Sequence, residues 1–315
     1  MIEEKPGVIR GRDSRGDNDS WGDNDSWGDN AVVAAEDLAR DLAAVVVLDA
    51  TVSFPKPRFD GDYRPESGYA TWADAHIPNS VHIDLLGEFS ASGAPLHFTR
   101  PEPEHLAAAL ARIGVGKGTD IVVYDAGEMT WASRVWWMLR NIGVPARVLD
   151  GGLARWTDLG LPLSSDLSAP PAAVNPVNIT DHGLWRDRDD VLEVSAGRAA
   201  GTLLCALDPE HFAGTATTRY ARRGRIPGSR NLPAKSLLGG GVLRPRAELA
   251  VLSETVSAES DSPLIVYCGG GVSACLVALA LVQAGRDDVA VYDGSLAEWT
   301  ADPALPMISD EEGNT

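Results

Sequence analysis

Apolar residues in this chain fall into short blocks separated by polar turns. Val45 to Ala50, Ile121 to Tyr124, Thr202 to Leu207 and Leu264 to Tyr267 are brief runs rich in aliphatic and β-branched residues, and Arg147 to Leu149 is a shorter one. Such continuous runs predict strands covered on both faces. Between them, Glu36 to Ala44, Pro103 to Ile113, Trp131 to Asn141 and Ala274 to Leu281 carry helix-forming sequence. The last is apolar on nearly all sides, which predicts a buried helix. Strands alternating with helices predict the α/β class, each half of the chain being a parallel sheet with helices on both faces.

The second half repeats the first. Tyr124 answers Tyr267 and Trp156 answers Trp299, both pairs separated by 143 residues. Around those markers, Asp150-Gly151-Gly152-Leu153-Ala154-Arg155-Trp156 is echoed by Asp293-Gly294-Ser295-Leu296-Ala297-Glu298-Trp299, and His76-Ile77-Pro78 by Arg225-Ile226-Pro227. Two markers, Tyr124 and Trp156, at one fixed offset from their counterparts point to duplication. The expected division is a tail over 1–30, a first domain over 31–165, a Pro, Ala and Ser-rich linker within 166–185, a second domain over 186–309 and a short tail over 310–315. The first tail repeats Gly-Asp-Asn-Asp-Ser-Trp, too polar to bury a core, so disorder is expected there. Its oxygen ligands lack the anchoring acidic residue of a calcium loop, and no function is assigned to it.

With 315 residues, the chain is long enough for two domains, each able to bury its own core. Its 27 basic and 45 acidic residues leave a net charge of −18. That charge argues against nucleic acid or an anionic membrane as a general partner. The sequence shows no apolar run of membrane-spanning length and no secretory-type apolar segment after Met1. Three cysteines, Cys205, Cys268 and Cys275, do not make a disulfide framework, so a reducing cytoplasm is expected. No Cys-x2-Cys or His pair has metal-binding spacing, and no metal or cofactor is expected.

Candidate chemistry concentrates where the strand 264–267 gives way to the helix 274–281. Cys268 stands there, followed by Gly269, Gly270 and Gly271, then Val272 and Ser273. Glycines let the backbone curl so that successive amides point at one spot. The helix start adds unpaired N–H groups and the positive end of its dipole. The sulfur at the mouth of that cup is placed as an anionic thiolate would be. In a parallel sheet, the carboxyl end of a strand is also where ligands bind.

Cys268-Gly269-Gly270-Gly271-Val272-Ser273-Ala274 resembles the active-site loop of the rhodanese superfamily. The likeness is closer to the Cys-Gly-Ser-Gly-Val-Thr-Ala form of its 3-mercaptopyruvate sulfurtransferases than to the Cys-Arg-Lys-Gly-Val-Thr form of its thiosulfate sulfurtransferases. Related phosphatases close a longer loop with arginine, and here position 274 is alanine. The resemblance spans about residues 31–305 and implies two tandem rhodanese-like domains, the first inactive because Asp125 stands where Cys268 stands in the second. Asp125 is expected to cap the turn that follows it.

The resemblance implies a sulfurtransferase. Cys268 would take sulfane sulfur from a small anionic donor, 3-mercaptopyruvate before thiosulfate, and hand it as a persulfide to a thiol, cyanide or thioredoxin-like acceptor. Residues 269–273 would cradle that persulfide. Ser273 either donates a hydrogen bond to it or caps the helix.

Arg219, Arg222, Arg223, Arg225 and Arg230 lie within twelve residues of an otherwise acidic chain. They form either a donor carboxylate clamp, with Arg219, Arg222 and Arg223 as its candidates, or a basic loop paired with surface acids. His76 matches the family's His-Ile-Pro histidine and is either a relay or a packed residue. Three positions depart from the family pattern. Leu207 and His211 replace substrate-side arginines, and Gly270 replaces a serine proposed to relay a proton. Those departures keep open a second class of function, a non-catalytic or persulfide-carrying binding module.

Overall fold

The computed structural model describes residues 31–167, 171–257 and 262–310. The repeat-bearing segment 1–30 and residues 311–315 lie outside the described residues, and with them the expectation of disorder in the first tail.

Each half builds one five-stranded sheet, all neighbours parallel. The first contains β1 (Val32–Val33), β2 (Val46–Asp49), β3 (Val81–His82), β4 (Ile121–Tyr124) and β5 (Arg147–Leu149), in the order β1-β5-β4-β2-β3. The second contains β6 (Trp185–Arg186), β7 (Thr202–Cys205), β8 (Arg230–Asn231), β9 (Leu264–Tyr267) and β10 (Val289–Tyr292), ordered β6-β10-β9-β7-β8. The two orders are the same path drawn twice. The central strands β4 and β9 are buried at every residue, which is why they read as unbroken apolar runs.

Helices cover both faces. On the outer faces, Ala35–Asp41 and Gly152–Asp158 close over the first sheet around Trp156, and Arg188–Ser195 and Ser295–Trp299 close over the second around Trp299. The duplicated tryptophans keep duplicated bonds. Trp156 Nε1 donates to Pro162 O and Trp299 Nε1 to Pro306 O. Likewise, Tyr124 Oη accepts from Ile77 N and Tyr267 Oη from Ile226 N.

The inner faces depart from the expectation of two separate cores. Helix Ser273–Gln283 is buried from Ala274 to Val282, and helix Thr130–Asn141 of the first half from Ala132 to Leu139. They pack against each other, and one continuous apolar cluster runs from Leu48, Val123 and Trp136 to Leu204, Val266 and Leu279. The reason lies in the sequence of the second helix. A helix apolar on all sides has no face to offer water and must be covered by its own sheet and by a neighbour.

The connection between the halves is strapped down. Val174 N donates to Ala111 O, Thr180 N to Ile142 O and His182 N to Asn141 O, while the Asn141 side chain bonds both Asp181 and Leu184 N. These bonds fasten the connection to the first half up to the start of β6.

Candidate active site

Cys268 follows the last residue of β9 and lies deep, with 2% of its surface exposed. Its loop is held by hydrogen bonds that leave through its back. Leu296 N donates to Cys268 O and Ala297 N to Gly269 O, at 3.1 and 2.7 Å. Gly271 O receives Arg134 Nη1 at 3.2 Å and the Cys275 thiol at 3.1 Å. In a trans peptide, the carbonyl and the following N–H point in opposite directions. Pinning Gly269 O and Gly271 O to one side therefore turns the amides of Gly270 and Val272 to the opposite side.

Not every loop amide faces that way. Ser295 Oγ accepts from both Cys268 N and Gly271 N, each at 3.1 Å, and donates to Tyr292 O at 2.8 Å. Of the expected cradle, Gly271 thus serves the frame. Its φ is +73°, and a Cβ there would lie 2.5 Å from Asp293 O, so only glycine fits. Ser273 is the first helical residue, one position past the N-cap Val272, so of its two expected roles the helix cap does not fit its place.

The first half has a loop at the corresponding position, with a different backbone path: Met129 is left-handed at φ +57° where Val272 has φ −93°. Asp125, at the position of Cys268, accepts from Gly127 N and Met129 N on one carboxylate oxygen and from Trp131 N and Ala132 N on the other, at 2.9 to 3.2 Å. Burial pushes its carboxyl up while those four amides pull it down. The counterparts of the first three donors, by the fixed offset, are Gly270, Val272 and Ala274. Among the described residues, none of these three amides has an acceptor. In the first half these amides hold a carboxylate, whereas in the second a thiol stands at the carboxylate's position and the three corresponding amides have no acceptor among the described residues.

The walls come from both halves. A Cβ on Gly269 would lie 3.4 Å from the Tyr220 ring, and one on Gly270 would lie 3.2 Å from the Tyr63 hydroxyl. Arg134, fully buried in the first half, also donates to Phe98 O and pairs with Asp293 at 2.6 Å beneath the loop. Burial pushes the thiols of Cys205 and Cys275 up to about 12, which disfavours their thiolates at neutral pH.

The rhodanese-like domain family matches this chain twice, over residues 36–159 and 209–302. This chain belongs to the rhodanese family. The 3-mercaptopyruvate sulfurtransferase of Escherichia coli (strain K12) is 35% identical over 245 residues, 75% of this chain and 84% of that protein. The human 3-mercaptopyruvate sulfurtransferase is 34% identical over 308 residues, 90% of this chain and 97% of its own. The thiosulfate sulfurtransferase of Gallus gallus is 32% identical over 82% of this chain and 86% of its own. Among solved structures, the Escherichia coli 3-mercaptopyruvate sulfotransferase superimposes with a TM-score of 0.71 at 30% identity, covering 84% of this chain and 98% of that one.

The side chains singled out by this rhodanese pattern have varied surroundings. Arg219 crosses to the first half, donating Nη2 to Phe54 O and Pro55 O with its guanidinium 4.0 Å over the Phe54 ring. Its Nε is buried without a partner among the described residues. Arg222 donates to the carbonyls of Trp299, Thr300, Asp302 and Leu305, closing the end of helix Ser295–Trp299. Arg223 grips the Asp60 carboxylate of the first half. His211, on the short helix Pro209–Ala213, has a buried Nδ1 without a partner among the described residues. His76 lies within the first half, its Nδ1 2.7 Å from Trp72 O and its ring stacked on Trp72. Arg225 and Arg230 are likewise bonded inside the second half, to Phe212 O and Val256 O.

Sequence reasoning missed Ser295, Tyr63 and Arg134. The duplication carried a signal for the first, since Ser295 stands where the first half has Gly152 at φ +55°. A non-glycine residue at that left-handed position needs a reason, and the two amides it holds supply one. Tyr63 and Arg134 had no such signal, because they belong to the half without the cysteine.

Proposed function

We propose that this rhodanese-family sulfurtransferase carries sulfane sulfur on Cys268, taken from a small anionic donor in a two-step exchange. The observation that carries the reading is the set of three amides, Gly270, Val272 and Ala274, left without acceptors where their counterparts bind a carboxylate. A persulfide anion extends one sulfur beyond the thiol, into the space those donors face.

With 3-mercaptopyruvate, the Cys268 thiolate attacks the donor's thiol sulfur. An S–S bond forms, the C–S bond breaks and its electron pair leaves with the pyruvate enolate. The proton of the donor's thiol ends on the enolate carbon, giving pyruvate and a persulfide anion. With thiosulfate, the same attack expels sulfite and no proton moves. A thiol, cyanide or thioredoxin-like acceptor then attacks the outer sulfur and returns the thiolate.

The absence of cationic side chains in the loop supports 3-mercaptopyruvate over thiosulfate as donor. Arg219, with its spare buried Nε, is the guanidinium proposed for the donor's acid group, and His211 is kept beside it. Arg222, Arg223 and His76 are left out of the donor site, because their polar groups are engaged elsewhere. We place the protein in a reducing compartment such as the cytoplasm. Three free cysteines support this, and no helix among the described residues is long and apolar enough to cross a membrane.

Mass spectrometry after donor treatment tests the reading. Cys268 should gain one sulfur and lose it on addition of cyanide or a dithiol, and Cys268→Ser should do neither. Iodoacetamide at neutral pH should label Cys268 and spare Cys205 and Cys275. Stable sulfur loading without turnover to any acceptor would favour a persulfide carrier, and no loading at all would overturn sulfur transfer.

A further inference from the structure

The Cys268 loop offers no side chain to a reacting sulfur between Cys268 and Val272, since positions 269–271 are glycine. A hydroxyl nevertheless sits beside Gly270, supplied by the other half. Tyr63 Oη lies 3.2 Å from where a Cβ on Gly270 would be, the reach of a short side chain at that position. Among the described residues that hydroxyl has no hydrogen-bond partner, although its ring is fixed by stacking on His97 at 5.2 Å and by an edge contact with Phe54 at 5.1 Å. Its backbone is fixed too. The Asp62 carboxylate next to it accepts from Arg58 N, Arg58 Nε and Arg64 Nε. Gly61 N donates to Thr218 O, and Thr218 N to the Asp60 carboxylate. An otherwise solvent-facing loop is thus fastened to the cysteine half, with a rigid phenol aimed at residue 270.

We propose that Tyr63 is a catalytic hydrogen-bond donor, its hydroxyl reaching across from the first half to the oxygen on which the departing enolate's charge gathers. The inference rests on the sulfur-transfer reading above. Burial holds the Tyr63 phenol well above its ordinary range, with the neighbouring Cys268 adding to the effect. It therefore stays protonated and donates without giving up its proton. In the mercaptopyruvate step, the C–S electron pair passes to the enolate oxygen, Tyr63 O–H shares its hydrogen with that oxygen, and the donor's own thiol proton completes pyruvate. Sulfite leaving from thiosulfate already carries its charge over three oxygens, so the phenol matters less there.

Tyr63→Phe removes the hydroxyl and keeps the ring. The expected result is a loss of about tenfold to a hundredfold in kcat with 3-mercaptopyruvate, KM within about threefold, and a loss of less than about threefold with thiosulfate. Gly270→Ser alone should also slow the enzyme, because its Cβ would crowd the phenol oxygen. Placed in the Tyr63→Phe background, Gly270→Ser should restore several-fold of the lost rate, since the new hydroxyl then occupies the vacated space. Unchanged kcat in Tyr63→Phe would overturn the assignment, as would an equal loss on both donors with no rescue by the double substitution, the pattern of a mere structural prop. A wild-type protein that never gains sulfur on Cys268 is a separate outcome, which removes the sulfur-transfer reading and Tyr63's role with it.

Discussion

Ser295 shows how much of the site rests on one side chain in an unfavourable conformation. Its φ of +49° belongs to the left-handed region, costing a non-glycine residue about 1–2 kcal/mol. The return is an oxygen that gathers Cys268 N and Gly271 N away from the cup, leaving other amides to face the sulfur. Ser295→Ala keeps the strain and orphans two buried donors. It should lower stability by roughly 1–3 kcal/mol in denaturant titrations. Ser295→Gly relieves the strain and should be the more stable of the two, yet both should load sulfur on Cys268 more slowly. An alanine variant as stable as wild type would show that the serine oxygen is dispensable. Asp125 makes the complementary point, since its carboxylate is the ligand of its own cradle and leaves no room for another.

Among the elements, the loop from Phe54 to Arg64 is the one whose role changes most between sequence and structure. Its composition, rich in Pro, Gly and Tyr, is that of a loop, but Arg219, Arg223 and Thr218 bind it to the cysteine half. Asp62 is its internal lock. Hydrogen bonds from Arg64, then from Arg58, hold its carboxyl far below the usual carboxylate range. A group with a depressed folded value contributes stability that is present above its unfolded value of about 3.9 and is lost as pH falls through the folded one. The gap in thermal midpoint between wild type and Asp62→Asn should therefore be full above about pH 5 and narrow on acidification towards pH 3. A constant gap over that range would show that the carboxylate's charge is not what locks the loop. The arginine-rich segment is in part a basic loop paired with an acid of the other half. Arg223 pairs with an acid, while Arg219 keeps a free donor near the site.

At the scale of the whole molecule, the two halves form one working unit because a buried ion pair crosses between them. Arg134 bonds Asp293, Phe98 O and Gly271 O at once, and Asp293 also accepts from Arg100 N at 3.0 Å. Removing one partner of such a pair leaves a buried charge uncompensated, at a cost of roughly 3–5 kcal/mol. Arg134→Met should fall in that range by denaturation. Adding Asp293→Asn should recover part of the loss, a double-mutant coupling that would be near zero if the pair were idle. Duplication, sheet class, the cysteine and its glycines were all legible in the chain, because each is written in residues close in sequence: runs of apolar residues, a fixed offset, a strand followed at once by a loop. Local sequence also determined that helix Ser273–Gln283 would be buried. What would cover it was decided only by tertiary structure, as were the phenol facing Gly270, the guanidinium behind Gly271 and the assignment of Arg222 to a helix end. Those contacts join residues far apart in the chain, and backbone pattern constrains its own hydrogen bonds and faces but not which distant side chain arrives to meet them.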